Sequence, residues 1–134
     1  MLTEIIESLT ELSCQALDET GNCIVVLAPR PFEDDPELFL FIQRTGNKFR
    51  LTDDAEVYLY HGGCDEAFNE IGAIVRGAGL EFNNATIELT CDLKDLQSSI
   101  AKFLCAMSAL AAREHDFNRM CAHRWSDEKA LAAK

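Results

Sequence analysis

Asp53 and Asp54 stand side by side after Leu51-Thr52, with Glu56 close behind and an acidic stretch, Glu33, Asp34, Asp35 and Glu37, upstream. Converging carboxylates can hold a divalent cation and activate water for hydrolysis, because hard cations take oxygen ligands at fixed geometry. The spacing follows no known cation loop, and side chains adjacent on a strand point to opposite faces. Turn and capping chemistry fits better, since a short carboxylate accepts from backbone N–H groups a few residues ahead. No catalytic residue and no metal ligand is assigned on this basis. A small metal-dependent enzyme using Asp53 and Asp54 stays open as an alternative.

The softer ligands are His61 with Cys64, and His115, Cys121 and His123. A zinc site shows paired ligands twice at short spacing, and here H-x-x-C and C-x-H each occur once. A Cys64–His61 nucleophile pair lacks a third, orienting group. Gly77 and Gly79 do not follow a strand and precede a helix, so they form no phosphate loop. No cofactor is expected. Phe117, Met120 and Trp125 are of the residue types that anchor partners, and they predict either a tail anchor or packing of the tail on the core.

Charge narrows the choice of partner. The net charge is −11, and residues 1–70 hold fifteen acids against Arg30, Arg44, Lys48 and Arg50, whereas residues 71–134 are balanced. A field of that sign repels phosphate, which disfavours direct binding to nucleic acid and favours a protein with a basic surface. Glu33, Asp34, Asp35, Glu37, Asp53, Asp54 and Glu56 are the expected partner-binding acids.

Hydrophobic spacing supplies the elements that would carry these groups. Leu2, Ile5, Ile6, Leu9, Leu12, Ala16 and Leu17 predict a first helix of about four turns. Cys23–Ala28 reads as a strand buried on both faces or closing against helices. Residues 38–44 and 48–52 read as a hairpin around Thr45-Gly46-Asn47, with one face of the second arm wet. Asp65 is expected to cap a helix that ends at Gly77-Ala78-Gly79, and Asn83-Asn84 to turn a second hairpin. Asp92 caps the longest helix, where Leu93, Leu96, Ile100, Phe103, Met107 and Leu110 form a seam spaced by three and four. The seam predicts packing on the sheet, with a homodimer through residues 93–110 as the alternative. The fold class is α+β: a small, mainly antiparallel sheet packed against N-terminal, central and long C-terminal helices.

At 134 residues the chain suits one domain, with residues 113–134 as a peripheral helical tail. No apolar run is long enough to span a membrane, and the N-terminus lacks the basic region and apolar core of a secretory signal. A cytoplasmic location follows as an expectation. The six cysteines, without a C-x-x-C pair, are expected as free thiols.

Leu38–Gln43, Leu51-Thr52-Asp53-Asp54-Ala55, the helix Ala67–Gly79, the strand Ala85–Thr90 and the long helix Leu93–Ala112 together resemble the prophage-associated bacterial domain of unknown function family 1828. The resemblance covers about residues 24–112, and its most specific part is Leu-Thr-Asp-Asp. Ala55 replaces a glycine of the family pattern, which removes an easy left-handed turn and predicts that helix or strand continues there. The family implies a phage or mobile-element context and no reaction. The resulting expectation is a non-enzymatic acidic protein that binds a host protein. Inhibition of a nucleic-acid-binding defence system, in the manner of an anti-CRISPR or a DNA mimic, is the form considered.

Overall fold

The computed structural model describes residues 2–27, 40–55, 57–58 and 64–120. The strands are β1 (Ser13–Ala16), β2 (Cys23–Leu27), β3 (Phe41–Thr45), β4 (Lys48–Thr52), β5 (Glu81–Asn83) and β6 (Thr86–Asp92). They form one six-stranded sheet in the order β1-β2-β3-β4-β6-β5, with every neighbouring pair antiparallel. Among the described residues, helices α1 (Leu2–Thr10), α2 (Asp65–Gly77) and α3 (Leu93–Ala111), with a further helical stretch at 114–120, complete an α+β architecture. Helix α1 packs on β1, α2 on β5 and α3, and α3 on β4 and β6.

Register decides which side chains enter the core, because alternate residues of a strand face opposite sides. Ile24 pairs with Ile42, Ile42 with Leu51 and Leu51 with Leu89, so a row of branched apolar side chains crosses four strands. Ile24, Ile42 and Leu51 are fully buried, and Phe49, Ile87 and Phe82 extend the same face. The other face carries Gln43, Arg50 and Thr90, all exposed. Residues 23–27 are therefore buried on one face, not two.

Helix α3 supplies the opposing layer. Leu96, Ile100, Phe103, Met107 and Leu110 are at most 1% exposed, so the seam lies inside the protomer. Burial of each such side chain contributes roughly 1.5–3 kcal/mol. The stripe from Leu96 to Leu110 already has a partner, the sheet, so it offers no free seam for a homodimer through residues 93–110; Leu93, the first residue of that seam, is exposed.

Two local expectations also change. Helix α1 stops at Thr10 instead of running to Leu17, and Ser13–Ala16 become a strand. Glu11 takes a left-handed φ of 60°, while Thr10 Oγ1 donates to the Ile6 carbonyl and accepts from the Leu12 N–H. Beyond that break Cys14 and Ala16 alternate with Ser13 and Gln15, and pairing with β2 outweighs the helical spacing. The second hairpin turns on Asn84-Ala85, one residue later than expected, with φ of 52° and 64°. Two positive φ values define the type I′ turn that suits strand twist.

Candidate functional site

Strand β4 delivers Asp53 to the inside of the molecule, where its carboxylate is fully buried. Oδ1 accepts from the N–H of Ile87 at 2.8 Å and of Ala55 at 3.0 Å, and Oδ2 accepts from Val57 N–H at 3.1 Å. These bonds hold the end of β4 against β6 and set the helical turn at Val57-Tyr58. Burial pushes the Asp53 carboxyl up to about 6, against the opposing pull of the backbone donors. Both oxygens are occupied by the protein's own backbone.

Asp54 points the other way. It is exposed, its N–H is bonded to Thr52 Oγ1 at 3.0 Å, and its φ is 55°. The two acids form no shared carboxylate site, which removes the geometry a metal-dependent reaction on Asp53 and Asp54 would need. Asp53 also leaves the expected acidic binding face, because a fully buried group meets no partner. Ala55 adopts φ 64° despite its Cβ, so the chain makes a left-handed turn there without a glycine. The bond from its N–H to Asp53 holds it there.

The remaining expected residues divide clearly. Glu33, Asp34, Asp35, Glu37, Glu56 and Trp125 lie outside the described residues. Phe117 is fully buried and Met120 packs half-buried against the core, so Phe117 is no exposed anchor. Residues 114–120 are helical, and their register turns Phe117 inward. His61, Cys121 and His123 fall outside the described residues, among which no group of three His, Cys, Asp or Glu side chains could hold a metal ion. Cys14, Cys23, Cys91 and Cys105 are free thiols. Cys64 is disulfide-bonded, which corrects the expectation of six free thiols.

A different acidic surface emerges at the opposite edge of the sheet. Residues 2–27 fold into α1, β1 and β2 and carry five exposed carboxylates, Glu4, Glu7, Glu11, Asp18 and Glu19, with no Lys, Arg or His. Glu7 Oε1 accepts from Cys14 N–H at 3.3 Å, and Asp18 Oδ1 accepts from Gly21 N–H and Thr20 Oγ1, both at 2.9 Å. Two thiols register this field. Burial first and Glu7 second push Cys14 up to about 11, and burial followed by Asp18 raises Cys23. The acids clustered in sequence around Asp53 gave no sign of this surface. The available signal was the absence of any cation over residues 2–27, which the tally for residues 1–70 diluted with Arg30, Arg44, Lys48 and Arg50.

Arg44, Lys48 and Arg50 are engaged elsewhere. Arg50 pairs with Glu88 at 2.8 Å, Asn83 donates to the same carboxylate at 3.0 Å, and Lys48 pairs with Asp92. The Asn83 and Arg50 donors lower the Glu88 pKa, and the Lys48 bond lowers that of Asp92. A cleft of about 590 Å³ beside them is lined by Arg44, Lys48, Lys94 and Asp92. Its charge is partly internal, since Lys48 is held by Asp92 and Arg44 Nε donates to the Gly46 carbonyl.

No protein-family model, curated protein or solved structure matches this chain.

Proposed function

We propose that this chain is a non-enzymatic acidic protein that binds a host protein with a basic surface. It would act in the cytoplasm in a phage or prophage context, as an inhibitor of a nucleic-acid-binding factor. The observation that carries the reading is the α1–β1–β2 unit, five exposed carboxylates on a continuous piece of fold without a cation among them. Like charges held together on a rigid element produce a local potential that steers a basic partner and rejects nucleic acid. The phage context rests on the Leu51-Thr52-Asp53-Asp54 resemblance alone. Burial of Asp53 away from exposed Asp54, and of the α3 stripe from Leu96 to Leu110, speaks against the enzymatic and helix-pairing alternatives.

Capture of partners from host lysate on immobilised protein tests the reading. A specific basic protein should be retained at about 50 mM salt and released near 500 mM, because screening shortens the reach of exposed charges. The variant with Glu4, Glu7, Glu11 and Glu19 all changed to Gln should lose it. Retention that is indifferent to salt and to those four changes would overturn the proposal.

A further inference from the structure

Each edge of the sheet is met by one charged side chain from a neighbouring helix, and the two edges differ in what they leave open. In an antiparallel pair, residues alternate between those that bond to the partner strand and those whose backbone groups point away. Leu17 N–H donates to the Cys23 carbonyl at 2.8 Å, which makes Leu17–Cys23 a bonded pair. The register then turns the N–H and C=O of Ala16 and of Cys14 outward, away from β2. Val26, opposite Cys14, accordingly donates to Leu40 on its other side. The outward N–H of Cys14 is bonded to Glu7, whereas among the described residues nothing bonds to the outward groups of Ala16. At the far edge β5 has only three residues, and the outward carbonyl of Phe82 accepts from Arg76.

Side chains around β1 complete the picture. Leu17 and Leu27 are 51% and 44% exposed, two of the three large apolar side chains so exposed among the described residues. They share the outer face of the β1–β2 pair with Val25, which pairs with Phe41. Open strand edges bind extended peptides through the main chain, with alternate side chains giving specificity.

We infer that the open side of β1 accepts an extended, lysine- or arginine-bearing segment of the partner protein as a seventh strand. Its main chain would meet Ala16, its apolar residues would lie beside Leu17 and Leu27, and its cations would face Glu7, Glu11, Asp18 and Glu19. Charge selects this occupant over a second copy of the chain, because β1-to-β1 pairing would bring two cation-free acidic units together. Glu7 then acts as a plug, protecting Cys14 N–H until a cation draws the carboxylate away. The inference rests on the acidic-binder reading and adds the surface and the mode of docking.

The test titrates the full chain with two fluorescent peptides of the sequence Lys-Val-Lys-Val-Lys-Val-Lys. One is unmodified, and the other is N-methylated at successive central residues so that neither edge can pair. The unmodified peptide should bind at about 50 mM salt. The methylated one should bind at least about tenfold more weakly, the loss expected for two or so hydrogen bonds. Exchange of the Ala16 amide should slow only with the unmodified peptide, and Ala16→Pro, which removes no bond to β2, should weaken that peptide alone. Equal binding of the two peptides with no change at Ala16 overturns edge docking and leaves the acidic-binder reading intact. Absence of binding by both overturns the two together.

Discussion

Asp53 and Ile87 are joined by two hydrogen bonds in opposite directions: Asp53 N–H donates to the Ile87 carbonyl at 3.1 Å, and Ile87 N–H donates to Asp53 Oδ1 at 2.8 Å. The side chain thus takes over where the β4–β6 ladder stops, so that the carboxylate serves as an extra rung and also holds the Ala55 and Val57 amides. A pair of acids that looks catalytic in the sequence is divided between architecture and solvent.

Replacing Asp53 by Ala should destabilise the protein by about 3–5 kcal/mol in urea unfolding at pH 5, because the Ile87 and Val57 amides remain buried without acceptors. Asp54→Ala should change stability by less than about 1 kcal/mol, since its side chain is exposed.

The raised pKa of Asp53 gives an unusual pH dependence. A carboxyl at about 6 in the folded state and 3.8 ordinarily binds more proton when folded, so stability falls as pH rises through that window. Wild type should lose up to about 3 kcal/mol relative to Asp53→Asn between pH 4 and pH 7. Parallel curves for the two proteins would show that the group does not titrate there.

Ala55 should be improved by glycine. A residue with a Cβ at φ 64° is strained, and relief of that strain outweighs the added freedom of the unfolded chain. Ala55→Gly should raise the unfolding free energy by roughly 0.5–1 kcal/mol, measured in urea.

Phe103→Ala should cost about 3–5 kcal/mol without changing the sedimentation coefficient of the folded protein, because its ring is buried within the protomer. Dissociation of an oligomer by this variant would contradict the intramolecular packing of α3.

Thiol reactivity should follow exposure and charge. Under native, non-reducing conditions iodoacetamide should label exposed Cys105 first and Cys14 slowly at pH 8, since Cys14 is held near 11. Cys64, buried as well as disulfide-bonded, should label only after reduction and unfolding.

The sequence signals that hold in the folded chain are local. The alternation of Phe49 and Leu51 with Lys48, Arg50 and Thr52, the Gly46-Asn47 turn and the three-and-four spacing of the last helix are each set by a few neighbouring residues, and each element appears where expected. Such signals fail where two of them compete or where partners are distant in the chain. Ser13–Ala16 carried helical spacing, yet β2 offered a strand to pair with, and only the folded chain supplies β2 beside it. The chemistry of Asp53 depended on Ile87, thirty-four residues away, whose amide turned a candidate ligand into a buried rung. Phe117 and the α3 seam were apolar enough for an interface or a core, and burial in the core decided for Phe117 and for Leu96 to Leu110. The sign of the charge was legible in the sequence. The placing of Glu7 against the outer edge of β1 was not, because it required α1 and β1 to pack together.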